Sequence, residues 1–188
     1  DAVSSALAEE MRRDPRVLMF GEGVATTRPA LVAEFGSERV RNTPLAEAVI
    51  AGTAARAAAT GLRPVIDLLY APFLTLSMDA IINSAGKLRY LSGGQFAFPM
   101  VVLARTGAGW GVGAQHNHNL EAMFVHAPGL KVVMPSNAAD FKGLLKAGNG
   151  HEENLQGMIG HERLGIDVLT WPHRAFAGAV AGSCARRQ

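Results

Sequence analysis

Four short runs of Val, Ile, Leu and Met stand out along the chain. They cover residues 16–20, 64–70, 100–105 and 131–134. Each run is almost continuously apolar, as expected for a strand that is buried on both faces of a parallel sheet. The pattern therefore predicts four short strands.

Segments with a helical pattern lie between and around these runs. They cover residues 2–13, 44–60, 76–91, 119–125 and 137–147. Ser136 is a suitable N-cap for the last helix and Gly148 a suitable end, while Gly93 and Gly94 would end the third. Alternating strands and helices predict an α/β fold, a three-layer, doubly wound and mostly parallel sheet with right-handed crossovers.

The second predicted helix opens with a start signal and a carboxylate. Thr43 suits the N-cap and Pro44 the first turn, where a missing N–H costs nothing. Glu47 follows in the first or second turn, and Ala and Gly dominate the residues after it. Another backbone or a flat ligand can approach so small a surface closely. A carboxyl walled by small apolar groups can share a proton with such a ligand.

Several polar and aromatic residues follow the predicted strands directly. They are Glu22, the segment 70–73 and the glycine-rich loop and histidine of 107–116. Ligands of parallel α/β sheets collect beyond the carboxyl ends of the strands. These residues and Glu47 are therefore expected at one edge of the sheet.

Composition limits the classes of protein to be considered. A chain of 188 residues with 48% hydrophobic and 18% charged residues suits one globular domain with a full core. A net charge of +2 with scattered Lys and Arg gives no nucleic-acid footprint. No apolar run approaches the roughly 20 residues that span a membrane. The single cysteine, Cys184, suits a reducing compartment, and we expect the cytoplasm.

Three segments carry a resemblance to a known family. They are residues 1–24, 35–95 and 113–147, and the second contains NTPLAEAVIAGTAARAAATGLRP at 42–64. In order and spacing they resemble the beta chain (E1 beta type) of thiamine-diphosphate-dependent 2-oxo acid dehydrogenases. The resemblance is to its transketolase-like pyrimidine-binding domain, here placed at residues 1–147. Pyruvate, acetoin and branched-chain versions share these motifs, so the substrate is not fixed by them.

The resemblance implies roles for Glu47 and two aromatic residues. Glu47 matches the family glutamate that bonds to N1′ of the cofactor's aminopyrimidine and shares a proton with it. The alternative is a first-turn Glu that interacts only with the helix dipole. Phe73 matches an aromatic residue that packs against the pyrimidine ring, and Tyr70 is a second choice for that place. Ordinary core packing is the alternative for both.

Two further residues match the active centre of the family. His116, in GAQHNH, corresponds to the histidine that contacts the substrate carboxylate and helps present the intermediate to the lipoyl acceptor. Glu22, in GEGV, corresponds to the glutamate of an acidic cluster between the two active centres, although Gly23 replaces the next acid. A solvated turn residue is the alternative for Glu22. No Cys or carboxylate cluster completes a zinc set with His116, and no metal site is predicted in this chain.

Three departures from the family pattern stand out. The loop at 24–35 is several residues shorter than its family counterpart. After Ala147 the family turn, whose main-chain oxygens hold a structural K⁺, is altered, which counts against that K⁺ site here. Gln156 and Gly157 are expected to interrupt the next strand. The family's C-terminal domain has no counterpart, and residues 148–188 form a divergent segment in which 167–188 show no helical or strand period.

The resemblance also implies partners and a reaction. An alpha-type subunit would carry the diphosphate and Mg²⁺, since no Gly-Asp-Gly motif occurs here. The expected assembly is a heterotetramer or a homodimer of beta chains, with a lipoyl acyltransferase as a further partner and neither nucleic acid nor membrane. The reaction would be oxidative decarboxylation of a 2-oxo acid with acyl transfer to lipoyl. The alternatives are a subunit of a split transketolase-like or decarboxylase enzyme and a non-catalytic family fragment.

Overall fold

The fold is built on one sheet of six strands. A computed structural model describes residues 2–106, 111–150, 158–161 and 166–169. The sheet order is β2-β1-β3-β4-β5-β6, with β6 antiparallel to β5 and every other pair parallel. The strands are β1 (Val17–Gly21), β2 (Val40–Asn42), β3 (Arg63–Tyr70), β4 (Val101–Arg105), β5 (Met158–His161) and β6 (Ile166–Leu169).

The helices vary in type and length. The α-helices are α1 (Ala2–Arg13), α2 (Val24–Thr27), α3 (Pro29–Phe35), α4 (Glu47–Ala59), α5 (Leu88–Leu91), α6 (Glu121–Val125) and α7 (Ala138–Gly150). Two 3₁₀ segments, Ala71–Ser77 and Ala114–His116, and one π-helical segment, Asp79–Ala85, complete the described elements. No helix in the part of the chain described here is long and apolar enough to cross a membrane.

Two apolar cores lie on opposite faces of the sheet. On one face α1 and α7 pack together, and Leu7, Met19 and Leu145 are fully buried there. On the other face α4 covers β3 through Ala51, Ala54 and neighbouring alanines. Because successive side chains of a buried strand point to opposite faces, Met19 joins the first core and Phe20 the second. The predicted three-layer α/β fold is confirmed.

The predicted strand at 131–134 is wrong. These residues form no ladder, although Val132 packs against one core and Val133 against the other. The side chains therefore alternate between the two faces as they would in a strand. A run of apolar residues predicts burial, but it does not predict which backbone groups pair. The neighbour of β4 is instead β5, which includes Gly160, and β6 shows that the expected lack of a strand in 167–188 is wrong at 167–169. The predicted interruption at Gln156 and Gly157 lies outside the described residues. The division of the chain at residue 147 stays a prediction.

The predicted N-cap at Thr43 is wrong. The first helical residue of α4 is Glu47, and Ala46 precedes it with φ −156° and no side-chain cap. Thr43 instead donates its backbone N–H to the carbonyl of Gly21, at 3.0 Å, directly after β2. Tertiary pairing with β1 thus outweighs the local start signal, and it places the carboxylate at the first residue of the helix.

The predicted helix at 76–91 is broken into three pieces. A 3₁₀ segment, the π-helical segment and α5 follow one another. The N–H of Gly86 reaches back five residues to the carbonyl of Ile81, at 2.8 Å. A Cβ on Gly129 would lie 2.0 Å from the carbonyl oxygen of Gly86, so a backbone crossing occupies the position where the helix would continue.

The ends of the last helix also differ from the prediction. The side chain of Asn137, not Ser136, accepts the backbone N–H of Asp140, at 2.9 Å. The helix continues through Gly148 to Gly150, so the predicted end at Gly148 is wrong. Residues 24–35, which carried no predicted element, form α2 and α3.

Candidate functional site

Three carboxylates from separate elements converge at the carboxyl end of β1. Glu22 follows β1, Asp67 lies in β3, and Glu47 begins α4. Their residue exposures are 4%, 2% and 8%, so all three are removed from bulk water. Ionised carboxylates are rarely buried without compensation, since desolvation penalises the charged form.

A glycine makes the approach between β1 and β3 possible. A Cβ on Gly21 would lie 2.2 Å from the carbonyl oxygen of Asp67. Gly21 has φ +153°, which side chains disfavour, and the next N–H, that of Glu22, donates to the same carbonyl at 3.3 Å. Only glycine fits this close approach of two paired strands, and it sets Glu22 beside Asp67.

Asp67 also shapes the strand that carries it. Its Oδ1 accepts the backbone N–H of Leu69, at 3.0 Å. Leu69 has φ +61°, and the register with β4 shifts between Asp67 and Tyr70. A bulge of this kind re-aims the side chains that follow it. The Asp67 side chain therefore supports the turn that leads into Tyr70.

Two guanidinium groups face Asp67. Arg28, between α2 and α3, donates from Nη2 to Oδ2 of Asp67 at 2.9 Å, and its own exposure is 8%. Nη2 of Arg105 on β4 lies 4.0 Å from the same oxygen and is partly exposed. Arg28 also donates from Nη1 to the hydroxyl of Thr27, at 3.2 Å, while its Nε is buried without a hydrogen-bond partner.

The carboxyl of Glu22 is held in an unfavourable environment. Both of its oxygens are buried and meet no N–H or O–H donor. Burial, and then the charges of Glu47 and Asp67, raise the pKa of Glu22. A direct hydrogen bond between Glu22 and Glu47 needs a proton on one of the two carboxyls, since two carboxylates only accept. The pair is therefore suited to hold one proton.

The start of α4 is fixed by a buried serine. The hydroxyl of Ser77 donates to the backbone carbonyl of Glu47, at 2.9 Å, across 30 residues of sequence. Ser77 ends the 3₁₀ segment that packs against α4. This contact ties the position of the Glu47 backbone to the segment that carries Phe73.

Three rings form a second cluster. The centroids of Tyr70 and His116 are 4.8 Å apart, those of Phe73 and His116 5.1 Å, and those of Tyr70 and Phe73 6.3 Å. All three contacts are edge-to-face, the arrangement that aromatic quadrupoles favour. Each residue is only partly buried. The cluster therefore presents ring surface that no core packing has consumed.

The structure brings the five predicted site residues into two groups. Glu22 and Glu47 meet in the acidic group, and Tyr70, Phe73 and His116 meet in the aromatic group. Residues 107–110 of the glycine-rich loop, the turn 151–157 of the K⁺ expectation and the tail with Cys184 lie outside the described residues. Among the residues that are described, no three His, Cys, Asp or Glu side chains form a group that could hold a metal ion.

Sequence reasoning missed Asp67, Arg28 and Ser77. Asp67 had a signal, because it is the only charged residue in the apolar run 64–70. Arg28 had none, because its loop departs from the family pattern. Ser77 is a small polar residue in an apolar segment, and only the tertiary contact with Glu47 distinguishes it.

Comparison with known proteins identifies the family of the chain. Residues 1–158 match the family described as the pyrimidine-binding domain of transketolase. The chain is 44% identical over 153 residues to a 2-oxoisovalerate dehydrogenase subunit beta from Bacillus subtilis (strain 168), covering 78% of this chain and 47% of that protein. It is 46% identical to a pyruvate dehydrogenase E1 component subunit beta from Rhizobium meliloti (strain 1021), covering 78% and 33%.

Two further matches extend the picture. An acetoin:2,6-dichlorophenolindophenol oxidoreductase subunit beta from Bacillus subtilis (strain 168) is 40% identical over 165 residues, with 78% of this chain and 48% of that protein covered. A solved structure titled split gene transketolase, inactive beta4 tetramer, superposes with a TM-score of 0.64 at 21% identity, covering 85% of this chain and 49% of that one. That likeness concerns the fold.

The matches agree on the domain while covering only part of each relative. The chain spans about a third to a half of the length of these curated relatives. The resemblance to beta-type subunits seen in the sequence is confirmed by their names and identities. The chain belongs to the transketolase pyrimidine-binding domain family, and its relatives there are the beta-type subunits of 2-oxo acid and acetoin dehydrogenases.

Proposed function

We propose that this chain is the beta-type component of a thiamine-diphosphate-dependent 2-oxo acid dehydrogenase and binds the aminopyrimidine of the cofactor. The observation that carries the proposal is a buried carboxyl at the first residue of α4, Glu47, with a second buried carboxyl, Glu22, beside it. The family match and the names of the relatives support the same reading.

The residues present fit a flat heteroaromatic ring with a basic nitrogen. Glu47 is sparsely solvated and its backbone is fixed by Ser77, as a proton-sharing group requires. Glu22 has both oxygens buried without a donor, so a proton in this cluster is stabilised. Phe73 offers a partly exposed ring for stacking, and Tyr70 and His116 contact it in edge-to-face arrangements.

Each residue would have a separate task. When bound, thiamine diphosphate supplies the electron sink for decarboxylation of a 2-oxo acid. Glu47 would bind the pyrimidine nitrogen and hold or release a proton there, while Phe73 would fix the plane of the ring. His116 would donate to the carboxylate of the substrate, since an imidazole both donates and exchanges protons near neutral pH.

The proposal requires a second protein chain. The diphosphate and Mg²⁺ would lie on an alpha-type subunit, and the acyl group would pass to a lipoyl group of an acyltransferase. A heterotetramer or a beta-chain dimer stays our prediction for the assembly, and the cytoplasm for the compartment. Leu45 and Val49, which flank Glu47 in sequence, have exposures of 79% and 66% and provide apolar surface for such a partner.

Calorimetric titration tests the proposal. Thiamine diphosphate with Mg²⁺ is titrated into the chain alone and into its mixture with an alpha-type subunit. We expect binding in the mixture, and a loss of affinity of at least tenfold in Glu47→Gln, because Gln cannot hold the shared proton. Glu38→Gln is the matched control, since Glu38 is an exposed carboxylate in a surface ion pair.

The contrary outcomes are equally clear. Unchanged affinity in Glu47→Gln contradicts the role of that carboxyl. Absence of binding in the mixture, with a folded circular dichroism spectrum and a demonstrated complex of the two chains, contradicts the proposed function and favours a non-catalytic member of the family.

A further inference from the structure

The buried ion pair of Arg28 and Asp67 affects the distribution of charge in the candidate site. Asp67 contributes the third carboxylate of the acidic cluster, and Arg28 reaches it at 2.9 Å from the connection between α2 and α3. Both side chains are more than nine-tenths buried. A pair so placed stabilises a fold little by itself, because desolvation offsets the attraction, but removal of one partner leaves an uncompensated charge.

The charged groups of the acidic cluster and of the ion pairs at Asp67 come from four segments. Glu47 belongs to α4, Asp67 to β3, Arg28 to the α2–α3 connection and Arg105 to β4. Both guanidinium groups lie against Asp67, with Nη2 of Arg28 at 2.9 Å and Nη2 of Arg105 at 4.0 Å from its Oδ2. The negative charge of Asp67 is compensated, whereas Glu22 and Glu47 have no cation in contact among these groups.

We infer that Arg28 is a positioning residue: it is engaged with Asp67 and leaves Glu22 and Glu47 without a cation in contact, so that one proton is held between these two carboxyls. The position of this proton depends on the chain alone. Its consequence for catalysis, a proton kept available at Glu47, rests on the proposed function. The Nε of Arg28 is buried and has no hydrogen-bond partner. The incomplete hydrogen bonding of this guanidinium group is consistent with a role that depends on its charge.

Asp67 has a second task that a test must preserve. Its Oδ1 accepts the N–H of Leu69 and supports the bulge before Tyr70. Asn keeps an oxygen for this contact and removes the charge. Asp67→Asn therefore separates the electrostatic contribution from the support of the backbone.

Infrared spectroscopy of the full chain in heavy water gives the direct readout. The carbonyl band of protonated carboxylic acids is followed from pH 4 to pH 9, and the difference from Glu22→Gln assigns the band, because the exposed carboxyls that titrate near pH 4 are common to both spectra. We expect Arg28→Met to move the midpoint of the band upward by about 1 pH unit or more, because the cluster loses a cation. We expect Asp67→Asn to move it downward by about 1 pH unit, since Arg28 then compensates its neighbours.

Controls separate charge from general loosening of the site. Arg28→Lys keeps the cation, so its midpoint should lie within about a few tenths of a pH unit of the midpoint of the native chain. Arg12→Met removes a bidentate ion pair with Glu34 on the surface and should leave the band unchanged. If Arg28→Met does not fold, as judged by circular dichroism, Asp67→Asn carries the test.

Two results would overturn the inference. One is a midpoint that stays the same in folded Asp67→Asn and in folded Arg28→Met. The other is a shift in the same direction in both variants, which would indicate water entry. The experiment uses no cofactor and therefore tests this inference separately from the proposed function. If the two midpoints shift in opposite directions but thiamine diphosphate does not bind in the calorimetric titration, this inference holds and the proposed function is wrong.

Discussion

Glu9 and Glu22 show opposite effects of their surroundings on a carboxyl group. Glu9, on α1, meets the ammonium groups of Lys142 and Lys146 on α7 at 2.5 and 2.6 Å. Hydrogen bonds from Lys142 and then Lys146 lower the pKa of Glu9 to about 2. Burial, and then repulsion by Glu47 and Asp67, raise the pKa of Glu22.

The difference reflects two uses of acidic side chains. Glu9 joins two helices that lie next to each other on one face of the sheet, 137 residues apart in sequence for Lys146. Glu22 is placed where its charge is opposed and a proton is favoured. A carboxyl whose surroundings favour the protonated form contributes little to the stability of the fold. At the edge of a sheet, such a group is suited to proton transfer.

The largest effect is expected where the backbone holds the acidic cluster together. Gly21→Ala would place a Cβ 2.2 Å from the carbonyl oxygen of Asp67 and force a residue with a side chain to adopt φ +153°. We expect a loss of about 3 kcal/mol or more in the free energy of unfolding, measured in urea. The close approach of the paired strands β1 and β3 at Gly21 cannot relax without moving Glu22.

Gly61→Ala is the matched control for this substitution. Gly61 also has a positive φ, +96°, but nothing lies within 4 Å of its added Cβ. It should lose only about 1 kcal/mol, the usual conformational penalty. Equal losses in the two variants would show that the contact with Asp67 is unimportant and that φ alone decides.

The next effect concerns the pH dependence of Glu22. Its folded pKa is raised above the ordinary value of 4.5, so the folded state binds a proton more readily than the unfolded chain. The free energy of unfolding therefore falls as pH rises above about 4.5. Glu22→Gln removes this dependence, and we expect it to stabilise the chain by about 1 kcal/mol at pH 8 and by much less at pH 4.

Urea unfolding at both pH values checks this expectation. Glu38→Gln, at an exposed carboxylate, should change stability little at either pH. Glu22→Gln contradicts the expectation if it destabilises at pH 8, because that sign would mean the ionised form is the favoured one.

Much of the fold could be predicted from apolar periodicity alone. The strands β1, β3 and β4 are almost continuously apolar runs, and α1 has the bounds that its pattern predicts. The start of α4 could not be found in this way, because the pairing of Thr43 with Gly21 competes with its capping. Likewise, the π-helical turn at Gly86 depends on a crossing with Gly129, more than 40 residues away.

The residues of the candidate site also fall into those that the sequence indicated and those that it did not. Glu22, Glu47, Phe73, Tyr70 and His116 were reached through motifs and strand ends. Asp67 was visible as a charge inside an apolar run, but its link to Arg28 was not, because it joins residues 39 apart through a loop of altered length. Motifs indicate candidate residues for a site, whereas the balance of charge among them depends on contacts between distant segments.

The smallest effect is expected at Glu9, and its pH dependence has the opposite sign. The ordinary pKa of a Glu, 4.5, is lowered here to about 2, so the ion pairs stabilise the fold above pH 4.5 and that stabilisation is lost as pH falls toward 2. Glu9→Gln should therefore be slightly less stable than the native chain at pH 6 and equal to it near pH 2. Because these side chains are partly exposed, salt at about 1 M should reduce the difference at pH 6. Thermal unfolding at low and high salt measures this, with Glu38→Gln as control. A gain in stability at pH 6 would mean that Glu9, like Glu22, is held against its charge, and the contrast between the two carboxyls would not hold.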